Sequence, residues 1–99
     1  MTPAELLDRV DVVLQEERTA LTSLDARKVE ELASEKQTLF AQLAECGLGA
    51  EHLDRMRAVY EGLRRNLVLL AGARDCVKDA LFAARGNPRG PGRALSVRG

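Results

Sequence analysis

The residues able to do chemistry are few and scattered. His52 is the single histidine, and Cys46 and Cys76 are the two cysteines, with no C-x-x-C pair and no His/Cys group at metal-ligand spacing. Acid–base work by His52 would need a second group to orient it or share its proton, and none stands nearby in a recognisable pattern. Carboxylates do recur at helical spacing, as in Glu31 with Glu35. Such acids are the ordinary solvated face of an amphipathic helix, whereas paired-carboxylate hydrolysis needs two of them across a cleft. The glycines fall at helix ends, at two helix-interior positions and in the C-terminal stretch, and none forms a phosphate-cradling loop. Arg85, Arg89, Arg93 and Arg98, with no acid after Asp79, could meet nucleic-acid phosphates, but no aromatic accompanies them for base stacking. These patterns argue against an enzyme, a metal, a cofactor or a nucleic-acid partner.

Composition narrows the scaffold that carries these residues. The chain has 99 residues, enough for one core, and is 45% hydrophobic but only 3% aromatic. An interior made of Leu, Val and Ala suits an all-α bundle better than a β-sandwich. The 15 basic and 15 acidic residues cancel overall, so gross charge selects no partner. They are unevenly placed, with acids dominating the first half and bases the second. Two cysteines are too few for a disulfide scaffold and read as free thiols. The acidic N-terminal segment does not resemble a signal peptide. The longest uncharged run, Asn66 to Ala73, is far short of a membrane span. A cytoplasmic chain with no membrane span is expected.

Periodicity then sets the elements. Thr2-Pro3-Ala4-Glu5 is a capping box with proline at the first helical position. Leu7, Val10, Leu14, Leu21 and Leu24 follow in steps of three and four, widened by Leu6, Val13 and Ala20, which predicts a helix over about 3–22. Thr22-Ser23-Leu24-Asp25 reads as a tight connection capped by Ser23 or Asp25. A second helix over about 26–46 carries Val29, Leu32, Leu39, Leu43 and Cys46 on one seam and stops at Gly47, with Leu48 folding back. The third helix, about 50–85, has a seam of Leu53, Met56, Tyr60, Leu63, Leu67, Leu70, Val77, Leu81 and Ala84, interrupted by Arg74. Residues 86–99, rich in Gly, Pro and Arg, read as a disordered tail. Glu17 and Lys36 sit on apolar seams with their methylenes over the core. An antiparallel hairpin pairing positions that sum to about 47 would set Lys36 beside Asp11.

Lengths make the third helix the informative one. At about 1.5 Å per residue the first two helices span about 30 Å and the third about 53 Å. It should pass the connection between helices one and two near Ala71 to Ala73, leaving its C-terminal part projecting. That part carries an apolar stripe which the same chain cannot cover. Leu67, Leu70, Ala73, Arg74, Val77, Ala80, Leu81 and Ala84 are therefore the candidate partner-binding residues. Gly72 marks where fraying would begin.

The first two helices carry Glu16-Glu17-Arg18 with Leu21, then Asp25, Glu31-Leu32, Glu35-Lys36, Leu39 and Leu43, and the third helix carries the run Leu63 to Leu70 with its Arg65-Asn66 pair. In these elements the chain resembles the FlgN-type flagellar export chaperones. The chain is short for that family, its second connection is compact, and its Gly-Pro-Arg tail adds no further helix. The resemblance implies a small cytoplasmic chaperone for flagellum assembly. It would take C-terminal helices of hook-filament junction proteins on its own C-terminal helix and deliver them to type III export. The alternative is a structural coiled coil that pairs the same helix with a second copy as a homodimer.

Overall fold

A computed structural model describes residues 1–85, and the segment read above as a disordered tail, residues 86–99, lies outside them. Among the described residues the chain is all-α and without strands: α1 Pro3–Thr22, α2 Ala26–Cys46 and α3 Leu53–Ala84. The Thr2 hydroxyl accepts from the Glu5 N–H at 3.1 Å, and Glu5 Oε1 accepts from the Thr2 N–H at 2.8 Å. This box satisfies two N–H groups that a helix start otherwise leaves open. The hydrogen bond from the Thr2 backbone, followed by that of its hydroxyl, holds the Glu5 carboxyl below its ordinary value of 4.5.

The connection from α1 to α2 is as short as two caps allow. The Asp25 N–H donates to the Ala20 carbonyl at 2.9 Å and the Leu24 N–H to that of Leu21 at 3.2 Å. This is a Schellman closure with Leu24 in the left-handed position at φ 57°. Asp25 then opens α2 by accepting from the Lys28 N–H at 3.1 Å, so Asp25 is the N-cap. Ser23 ends α1 instead, its hydroxyl donating to the Thr19 carbonyl at 3.0 Å. At the far end Gly47 takes φ 72°, where a side chain would be strained, and Leu48 turns back onto the core. A 3-10 turn over Ala50–His52 precedes α3, which therefore opens at Leu53 and not at 50.

The central helix is α1. It packs against both α2 and α3, which hardly meet each other. Arg55 reaches Asp8 and Asp11 while Asn66 reaches Leu14 and Glu17, so α3 runs parallel to α1. α1 accordingly buries two faces, with Leu6, Leu7, Val10, Val13, Leu14, Ala20 and Leu21 all inside. α2 contributes Leu32, Leu39 and Leu43, with Val29 half-buried; Cys46 is exposed because the helix ends there.

On α3 the inward face is turned partly off the periodic seam, of which Met56 and Leu63 pack half-buried against the core. Val59, Gly62 and Asn66 are buried, whereas Leu53, Tyr60 and Leu67 face outward. The cause is close packing on α1. A β-carbon on Gly62 would lie 3.2 Å from Leu14 Cδ1, so the backbones approach where that side chain is missing. Asn66, one turn on, then turns inward and brings Val59 with it.

The buried polar groups join all three helices. The Glu17 carboxylate, 5% exposed, accepts from Lys36 Nζ of α2 at 2.8 Å and from Asn66 Nδ2 of α3 at 2.9 Å. The same Asn66 amide donates to the Leu14 carbonyl at 3.0 Å, and its Oδ1 accepts from Arg18 Nε at 3.1 Å. Lys36 therefore lies beside Glu17 and not Asp11, which is taken by Arg55 at 2.7 Å. Arg9, about two turns before Glu17 on α1, holds Glu35, the neighbour of Lys36, at 2.6 Å. Among the described residues no buried side-chain donor or acceptor lacks a partner.

Two predictions follow from this packing. Lys36→Met leaves a buried carboxylate without its cation and should cost about 1–3 kcal/mol in urea unfolding, while Arg27→Ala, which removes an exposed pair with Glu31, should cost below about 0.5 kcal/mol. Equal losses would show that burial of Glu17 contributes nothing. The depressed Glu5 carboxyl contributes stability that is present above its unfolded value and is lost as pH falls through its folded one. Backbone amides of the first α1 turn should therefore exchange faster as pH drops below 4.5, after correction for intrinsic rates, and Thr2→Ala should remove that step.

Candidate partner-binding site

Parallel packing sets where α1 stops relative to α3. With Asn66 beside Leu14 and Glu17, an equal rise of about 1.5 Å per residue brings Thr22 level with the stretch around Leu70 to Ala73. From Arg74 to Ala84 every α3 residue is exposed. Continuous helical hydrogen bonding carries the backbone through this stretch and through the open position Gly72 just before it.

The place where α1 ends is an apolar notch of about 530 Å³. Its floor and near wall are Leu21, Leu24, Ala26 and Val29, from the end of α1, the connection and the start of α2. Leu70, Ala73 and Val77 of α3 form the facing wall, and Glu30, Arg74 and Lys78 stand at its rim. The left-handed Leu24, half exposed, is one of the side chains of this wall. Glycine is the usual occupant of such a position, and leucine there carries a conformational cost of about 1–2 kcal/mol.

The candidate residues divide into three groups. Leu70, Ala73, Arg74 and Val77 line the notch. Ala80, Leu81 and Ala84 continue the same face of α3 along the projection, and Leu81 is 55% exposed. Leu67, at 63% exposed, lies on the flank of the helix outside the notch. The opposite wall escaped sequence reading because it needs the third dimension. The one available signal was Leu24, which extends the α1 seam past the helix end.

The notch offers an apolar surface to another apolar surface, with cations at one edge. Among the described residues, neither Arg74 nor Lys78 has an ion-pair partner within 4 Å. No three His, Cys, Asp or Glu side chains among them gather to hold a metal ion. His52 stands at the other end of the molecule, with Nε2 3.7 Å from Glu51. No helix among the described residues is long and apolar enough to cross a membrane. No family model matches the chain, and neither a curated protein nor a solved structure matches it significantly.

Leu24 separates stability from surface. Leu24→Gly should raise stability by about 1 kcal/mol in urea unfolding, because the left-handed backbone is relieved. It should also lower the binding of an environment-sensitive apolar dye at the notch. A loss of stability would mean that the Leu24 side chain supports the connection more than its backbone strains it.

Proposed function

We propose that this chain is a helical carrier of the flagellar export chaperone type. It accepts an amphipathic helix from a hook-filament junction protein in the notch and along the α3 projection, keeps that segment from aggregating, and gives it up at a type III export gate. Such a carrier works in the cytoplasm and performs no chemistry of its own.

The observation that carries this reading is the continuation of the buried α3 face beyond the end of α1. Val59 and Asn66 are covered by α1, while Val77 and Leu81, on the same side of the helix, are about half exposed. Counting about 100° per residue, Leu70, Ala73, Val77, Ala80, Leu81 and Ala84 stay within about 60° of the direction of Val59. An incoming helix would lie where α1 would have continued, which is the helix-in-groove mode of peptide recognition. The sequence resemblance adds the class of cargo, and the Arg65-Asn66 pair that carries part of it stands in the helix that forms the notch.

Release is compatible with the same geometry. Every residue of the projection is exposed, so cargo binding has to offset the ordering of its last turns, which lowers affinity for a given area. A carrier that must let go gains from such a limit.

Titration calorimetry of the full chain with the C-terminal helical segment of a hook-filament junction protein should give one-to-one binding. Leu81→Arg should lower that affinity by at least about tenfold without moving the urea midpoint, because Leu81 is exposed and contributes nothing to the core. A folded chain giving no heat at several temperatures would sink the carrier reading. If that chain instead sedimented as a dimer broken by Leu81→Arg, the projection would be the seam of a structural coiled coil.

A further inference from the structure

The edges of the exposed stripe are unlike in charge, and this selects the chemistry of what can lie on it. Taking the stripe centre as the direction of Val77, Arg74, Lys78 and Arg85 fall about 60–100° to one side of it, in a single row. The other edge is formed by Leu69, Cys76 and Ala83, which carry no charge. The two acids of the projection, Asp75 and Asp79, fall about 160° from the stripe centre, behind the helix. None of the three cations has an ion-pair partner among the described residues. Glu30 of α2 is the single acid at the notch, against two of these cations.

We propose that the occupant of the notch and stripe is an acidic amphipathic helix, whose apolar face meets Leu70, Val77 and Leu81 and whose flanking carboxylates meet the row of Arg74, Lys78 and Arg85. This names the partner chemistry of the site proposed above and rests on that reading. The row has the geometry of coiled-coil flanking positions, whose charges choose partner and orientation more than they add affinity.

The two occupants supplied by the chain itself fit less well. In an antiparallel pair with a second copy, a two-fold axis brings equivalent edges together, so the cationic row meets its own image. In a parallel pair the row meets the uncharged edge. Neither arrangement offers a counter-charge. The segment that follows Arg85 contains Arg89, Arg93 and Arg98 and no acid, so it brings like charge to a cationic edge.

The test uses the full chain and a matched set of synthetic amphipathic helices of about 18 residues, identical in their leucine seam and carrying Glu, Gln or Lys at the flanking positions. Fluorescence anisotropy at low ionic strength should rank them Glu over Gln over Lys, with about tenfold or more between the extremes, and added salt should compress the ranking. The double variant Arg74→Glu/Lys78→Glu should invert the order at an unchanged urea midpoint, since both side chains are exposed. Equal affinity for the three peptides would overturn the acidic-partner proposal while leaving a helix-docking site standing. Failure of every peptide to bind, together with a dimer in sedimentation that Leu81→Arg dissociates, would overturn both and assign the stripe to a second copy.

Discussion

A carboxylate buried on the middle helix is the constraint around which this fold is arranged. Glu17 lies on the side of α1 that both neighbours approach, and a charge in that place is tolerable only when both of its oxygens are satisfied. Lys36 supplies one partner from α2 and Asn66 the other from α3. Because Asn66 also donates to the Leu14 carbonyl, its amide has little freedom to slide along α1. The interaction therefore acts chiefly on register. Leucine packing alone would tolerate a shift by one heptad, but such a shift would strand a charge and an amide in the interior.

Register in turn decides what is left uncovered. α3 runs parallel to α1 and begins near its start, so its greater length is spent entirely at the end where α1 turns into α2. Had α3 been locked one heptad earlier on α1, about two turns less of it would project past the end of α1; one heptad later, about two turns more would. The Arg55 pairs with Asp8 and Asp11 oppose both shifts from the far end of the interface. The exposed guanidinium is held in its charged form chiefly by its hydrogen bond to Asp8, then by that to Asp11. Surface pairs of this sort add little stability but penalise the wrong alignment.

Much of the fold is legible in the chain because local signals agree with one another. The Thr2-Pro3-Glu5 box, the Asp25 cap and Gly47 each act within a few residues, and each appears in the structure as the hydrogen bond or dihedral angle its chemistry requires. The inward face of α3 is where that agreement breaks down. Counting leucines favours Tyr60 and Leu67, since apolar residues usually face a core. The deciding residues are Gly62, which lets the backbone close on Leu14, and Asn66, whose amide satisfies Glu17. Neither scores as apolar, and their value exists only across an interface. The notch was legible from one side for the same reason: helix length and phase place the α3 wall, but only the packing brings Leu21, Leu24 and Val29 opposite it.

The projection can remain helical without a partner because extending a helix is easier than starting one. A separate peptide of the same length would have to nucleate, at a statistical cost of about a thousandfold, whereas these residues continue turns already fixed on α1. The margin is small, since each added residue gains one backbone hydrogen bond and Gly72 weakens the ladder near its root. Such an extension presents its stripe at a set angle while leaving its last turns easily opened. A longer α1 would have covered the stripe and stiffened it. The short α1, stopped by Ser23 and a left-handed leucine, trades that coverage for an apolar wall, and in this respect the ending of one helix shapes the exposed face of another.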